Sequence, residues 1–228
     1  MSEVKIKNKK EKRERLAAIV DRLKQVYPES ECALKYGGDP WRLLVMGRLS
    51  AQCTDARVNE VSVPLFEKYP TAQSMAEADI SELEEIIRPC GLYRMKAANL
   101  KDASRMLVSE YGGVLPSEMD ALLRFPGVGR KIANLLIGDI FGGEAVVCDT
   151  HCIRICARLG MYSEKLRDPN KIEMILRELI DLREGSDFCH RIVNFGRQIC
   201  LARSPKCDIC PLLHLCEAGK ERRSKINA

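Results

Sequence analysis

Residues 126 to 151 read PGVGRKIANLLIGDIFGGEAVVCDTH, and the reading of this stretch decides the fold. Gly127-Val128-Gly129 separates two helical patterns. Glycine there admits dihedrals that a side chain forbids and lets the backbone come close to a ligand. After it, Ile132, Leu135, Leu136 and Ile140 recur at the spacing of one apolar helix face, and Gly142-Gly143 stops the pattern. A helix that opens on a glycine turn points its first N–H groups outward, toward an arriving anion. Lys131 lies in the first turn of that helix, and Asp149 follows further along the same stretch. One short segment therefore offers a phosphate-holding backbone, an amine nucleophile and a carboxylate.

Outward from this stretch the pattern stays helical. Leu16, Ile19, Val20 and Leu23 share one face. Asp39 can cap, and Pro40 can open, a helix running through Trp41, Leu44, Val45 and Leu49. Thr54 or Asp55 caps the next, in which Pro64 is expected to force a kink or restart. Further helices are expected over 81–87 and 93–111. Another opens at Pro116-Ser117, where Ser117 and Asp120 have a spacing like that of a capping box. Three more cover 150–159, 170–182 and 187–199. Val146-Val147-Cys148 is the one run that could be a strand, and it is too short and isolated to build a sheet. The expected fold class is all-α, about ten helices on short connections.

The chain has 228 residues, 46% of them apolar and 30% charged, a composition suited to a soluble globular protein with ample core. No apolar run approaches the roughly 18 residues that span a bilayer. Glu3, Glu11 and Glu14 interrupt the basic N-terminus, as a transit peptide would not, so a cytosolic protein is expected. Residues 5–15 carry seven Lys/Arg. They suit either an arm on DNA phosphates or a solvated helix start. The net charge of +5 permits a polyanionic partner without requiring one.

Eleven cysteines, an odd number, fit a reducing compartment with a metal site better than a disulfide framework. Cys200, Cys207, Cys210 and Cys216 are spaced C-x6-C-x2-C-x5-C. Structural zinc sites usually show two close Cys pairs, and this loop has one, whereas iron–sulfur clusters tolerate wider, uneven spacing. Spacing alone favours iron–sulfur over zinc. Arg203 and Lys206, inside the loop, would bind phosphate or balance a cluster's charge. Cys148, Cys152 and Cys156 share a helical face and read as packing rather than as a second metal site.

Together these motifs resemble the helix-hairpin-helix DNA glycosylases, and the endonuclease III family in particular. The resemblance is carried by LSAQCTD at 49–55, GLYRMKA at 91–97, FPGVGRKIAN at 125–134, CDTH at 148–151 and the four-cysteine loop, and it covers roughly residues 15–220. It implies two helical domains flanking a DNA-binding cleft. A six-helix domain with the hairpin would span 33–143, and 1–32 plus 144–228 would form a domain holding a [4Fe-4S] cluster on the four cysteines. It also implies a monomer, cytoplasmic and associated with the nucleoid through DNA, acting on double-stranded DNA with damaged bases or abasic sites. Such enzymes excise oxidised pyrimidines and nick the abasic site by β-elimination through a lysine Schiff base.

Under that resemblance Lys131 is the nucleophile, and Asp149 manages charge and protons while also suiting a helix N-cap. His151 is structural. Gln52 and Leu92 enter the helix from the minor groove, the one bonding the orphaned base and the other wedging between its neighbours. Gly127 and Gly129 present N–H groups to a DNA phosphate, and hairpin carbonyls could instead hold a cation. One departure stands out. The helix before Ser50 reads VMGRL, where relatives are more uniformly apolar, so Arg48 is expected to touch DNA or line the lesion pocket. Pro64 and Cys148 are smaller departures. Rival readings are an adenine- or thymine-mismatch glycosylase, a non-catalytic iron–sulfur DNA-binding module, and a zinc-holding nucleic-acid binder. The mismatch enzymes tend to lack this lysine, adenine glycosylases usually add a C-terminal recognition domain, and Lys131 with Asp149 argues against the second.

Overall fold

The computed structural model describes residues 2–29 and 31–220, with side chains from residue 8 onward. In chain order the helices are α1 (Ser2–Val26), α2 (Pro40–Leu49), α3 (Asp55–Lys68), α4 (Ala72–Glu77), α5 (Ile80–Ile87), α6 (Tyr93–Tyr111), α7 (Met119–Leu122), α8 (Arg130–Asp139), α9 (Thr150–Arg158), α10 (Pro169–Leu179) and α11 (Gly185–Gln198). Short 3-10 turns join them at Arg88–Cys90, Leu182–Glu184, Cys207–Ile209 and Leu213–Leu215. No strand forms among the described residues. The chain divides into two compact units, Cys32–Gly142 and Met1–Glu31 with Gly143–Ala228.

The central unit, Cys32–Gly142, holds α2 to α8. Asp39 opens α2 as its sequence dictates: its carboxylate accepts from the N–H groups of Trp41 and Arg42 at 2.8 and 3.2 Å, with Pro40 at the first position. Such a cap contributes ~1 kcal/mol. The helix buries Leu43, Leu44, Val45, Met46 and Leu49 completely. Gly47 lets it come close to α8, since a Cβ there would lie 3.4 Å from Ile132 Cγ2.

Of the two outcomes expected at Pro64 the restart does not occur, and a second expectation fails. α3 runs unbroken through Pro64. That residue is exposed, so the carbonyl losing its hydrogen bond can turn to water, while buried Val58, Val61 and Leu65 hold the helix down. The Ser117/Asp120 box does not form: α7 starts at Met119 with no side-chain cap, and Ser117 Oγ donates to Glu118 Oε1 at 2.8 Å instead. α4 is an unanticipated helix, started by a reciprocal capping box between Thr71 and Ser74.

In the other unit, α1 lays Leu16, Ile19 and Leu23, all fully buried, against α10 and α11. Four cations of the basic stretch are committed within the unit. Lys9 pairs with Glu178 at 2.6 Å, Lys12 donates to Met161 O at 3.0 Å, Arg13 to Glu178 O at 2.7 Å, and Arg15 pairs with Glu217 at 2.6 Å. These four belong to a docked helix rather than to a free arm; the side chains of Lys5 and Lys7 lie outside the described residues. Val146-Val147-Cys148 is buried but forms no strand. Its Val147 N–H donates to Cys189 Sγ at 3.2 Å, which fixes the segment to α11.

Candidate active site and metal centre

In the central unit the hairpin sits on Phe125 and Val128, which are 2% and 7% exposed and linked by Val128 N–H to Phe125 O at 3.0 Å. Gly127 has φ +77°, so its identity is required by the backbone. Gly129 differs from expectation: at φ −104° any residue fits, and a Cβ would meet nothing within 4 Å. Its lack of a side chain keeps the start of α8 open. No side chain caps that start, and Lys131 is exposed in its first turn.

Gln52 and Leu92 are the two non-glycine residues with positive φ among those described, at 55° and 51°. Both are exposed, Leu92 by 48%. A left-handed residue with a side chain costs roughly 1–3 kcal/mol, and such strain collects at functional sites. The two loops share one internal support that sequence reasoning missed. Lys96, fully buried, donates to Leu49 O and Cys90 O, both at 2.8 Å. It thereby ties the end of α2 to the turn before Leu92. Burial lowers its pKa. The Cys90 thiol nearby is pushed up to about 12, by burial first and then by Cys53. A lysine at 96 in a helical register gives no sign of such burial; only the packing shows it.

Arg48 is more enclosed than its place in the sequence suggests. It is 7% exposed, and its Nη2 and Nε donate to Asn99 Oδ1 at 2.8 and 3.0 Å with that amide correctly oriented. Its guanidinium is therefore largely withdrawn from solvent.

In the other unit Asp149 caps α9: Oδ1 accepts from Cys152 N–H at 2.7 Å, and Oδ2 faces His151 Nδ1 at 2.9 Å. The carboxylate is 16% exposed. His151 packs close to Gly196, where a Cβ would lie 2.7 Å from its Cδ2.

Cys200, Cys207, Cys210 and Cys216 line one pocket of about 430 Å³, partly open to solvent and walled by Ile155, Leu159 and Phe195. Arg158 reaches into this loop. Its Nη1 donates to Cys200 Sγ at 3.3 Å and Leu201 O at 2.7 Å, and its Nη2 to Ala202 O at 2.7 Å. Gly219 N–H donates to Cys216 Sγ at 3.3 Å. Such donors suit sulfurs that carry negative charge. Burial raises Cys210 to about 11 and raises Cys216, and the neighbouring thiols add to both shifts. Burial thus opposes a thiolate at Cys210 and Cys216 unless a cationic centre lies beside it. A single zinc would bring its sulfurs to roughly 3.8 Å of one another, given Zn–S bonds of about 2.3 Å. No three of these sulfurs lie within 4.8 Å of each other. The wider spread fits a larger cluster. Arg203 and Lys206 are exposed on the loop between the first two cysteines.

Residues 45–181 match the model of the HhH-GPD superfamily base excision DNA repair proteins, and residues 200–216 match the iron–sulfur binding domain of endonuclease III. The chain belongs to the HhH-GPD superfamily, in its endonuclease III branch. It is 43% identical over 210 residues to endonuclease III of Synechocystis, covering 92% of this chain and 94% of that one. With endonuclease III of Bacillus subtilis it shares 40% over 206 residues, covering 90% and 93%. A solved trapped endonuclease III–DNA covalent intermediate superposes with a TM-score of 0.87 at 41% identity, over 92% of this chain and 98% of that one. The chain carries an iron–sulfur cluster, as its family does.

Proposed function

We propose that this chain, a DNA glycosylase and abasic-site lyase of base excision repair, excises oxidised pyrimidines from duplex DNA with Lys131 as its nucleophile. The observation that carries the reading is the exposed lysine in the uncapped first turn of α8, directly behind a hairpin whose Gly127 requires a left-handed backbone. The N–H groups there hold a DNA phosphate and bring the sugar to the lysine.

Extruding a nucleotide costs roughly a few kcal/mol. Gln52 and Leu92, held out on strained loops braced by Lys96, fill the gap it leaves. The neutral Lys131 amine attacks C1′, the C1′–N bond breaks, and the base leaves with a proton. Ring opening gives the C1′ Schiff base. Loss of a C2′ proton then expels the 3′ phosphate. Asp149, held by Cys152 N–H and His151, stabilises positive charge on the sugar and takes the proton from the lysine.

Cys200, Cys207, Cys210 and Cys216 hold the [4Fe-4S] cluster, which cross-links the C-terminal loop. Arg203 and Lys206, exposed on that loop, add phosphate contacts, so binding weakens with salt. The protein is a cytoplasmic monomer working on the nucleoid. Among the described residues no helix is long and apolar enough to cross a membrane.

Borohydride trapping on a duplex with thymine glycol tests the lysine. The native protein forms a covalent adduct, and Lys131→Ala forms none. Equal trapping by both sinks the assignment.

A further inference from the structure

Arg48 is a buried cation for which the fold provides no counter-charge. It is 7% exposed, its Nε and Nη2 are bonded to the neutral amide of Asn99, and no carboxylate among the described residues pairs with it. A buried charge without a counter-ion is among the costliest features a fold can keep. Lys96, the other buried cation of this region, is in a different position. Its ammonium is spent on two carbonyls that brace the loops. The two repel each other, since Arg48 helps to lower the Lys96 pKa.

The place of Arg48 gives the charge a purpose. A Cβ on Gly127 would fall 2.3 Å from its Nε and 2.7 Å from its Cδ. The guanidinium therefore lies against the Cα of the hairpin glycine whose φ is +77°. Two residues on, Gly129 starts α8 without a side-chain cap. A fixed cation under this turn repels a metal ion held by hairpin carbonyls and attracts an anion held by hairpin N–H groups.

We propose that Arg48 is a charge built beneath the hairpin for the DNA phosphodiester that the hairpin binds, so that the nucleic acid supplies the counter-ion the fold withholds. The proposal rests on the DNA-binding reading given above. Arg48 acts through a glycine's thickness of backbone, by attraction across a low-dielectric layer rather than by contact. It is a positioning residue. Its removal relieves the free protein of an uncompensated buried charge and weakens the complex, so stability and affinity move in opposite directions.

The experiment compares the cluster-loaded protein with Arg48→Met and with Arg48→Met/Asn99→Leu, which removes the amide left unpartnered by the first change. The probe is a duplex with a tetrahydrofuran abasic analogue. Thermal midpoints of the free proteins and dissociation constants across a salt series are measured. The double variant should match or exceed the native midpoint, bind the duplex about tenfold more weakly, and keep the native slope of log affinity against log salt, because no phosphate contact is lost. Arg48→Lys should recover part of the affinity. A lower midpoint in the double variant makes Arg48 an ordinary strut and overturns the proposal, as does native affinity. A slope reduced by about one unit makes it a direct phosphate contact and overturns it too. Failure of the native protein to bind the duplex would instead sink the underlying reading.

Discussion

Two groups of four cysteines lie in the same unit, and what surrounds their sulfurs differs. Cys148, Cys152, Cys156 and Cys189 are at most 8% exposed. The thiol of Cys152 bonds with those of Cys148, Cys156 and Cys189, and these contacts, with burial, raise its pKa well above the usual range. Its sulfur lies 4.0 Å from that of Cys156. Cys200, Cys207, Cys210 and Cys216 are half-buried on successive turns, around a pocket, with a guanidinium and a backbone N–H aimed at sulfur. The first group behaves as small apolar side chains. The second is built to be charged. Residue type does not separate them, nor does a backbone donor, since Val147 N–H reaches Cys189 Sγ; open volume and a guanidinium do.

The comparison breaks most readily at Cys207→Ser. Removing one proposed ligand should abolish the visible absorbance and the bound iron. Structural metal binding contributes on the order of 10 kcal/mol, so the thermal midpoint should fall far. Retained colour would mean that the loop does not need this sulfur. Arg158→Met comes next. It deletes three hydrogen bonds into the loop, one of them to sulfur, and should cost about 3 kcal/mol in denaturant titrations while iron is retained. Cys152→Ser follows at about 2 kcal/mol, because a hydroxyl is put where no strong acceptor waits, and Cys152→Ala at about 1 kcal/mol. Both should keep full iron content. Loss of iron in either would join the two groups into one system.

Much of the fold is legible in the sequence where punctuation is strong. Asp39-Pro40 and Gly112-Gly113 mark helix ends, and α6 spans Tyr93–Tyr111 as its pattern predicts. α4 escapes because six residues make too little periodicity, and its cap pairs Thr71 with Ser74 rather than with Glu or Gln. Pro64 starts no new helix, since it is exposed and the carbonyl it leaves free can turn to water. At the site, Lys131, Asp149 and the four-cysteine loop stand out by type and spacing. Arg48 and Lys96 do not, since nothing in a charged letter says that it will be buried. Nor could the left-handed backbones of Gln52 and Leu92 be read, because neither residue is one that prefers that region.

The unit formed by Met1–Glu31 with Gly143–Ala228 is discontinuous in sequence, with a consequence for how the chain is made. α1 emerges from the ribosome before α10 and α11, yet the residues that cover Leu16, Ile19 and Leu23 belong to those two helices. At the usual pace of translation, its apolar face waits on the order of ten seconds for them. Cys32–Gly142 emerges as one uninterrupted segment in that interval and can fold first. Until the last cysteine is synthesised, the nascent chain carries a finished hairpin and an unfinished metal loop.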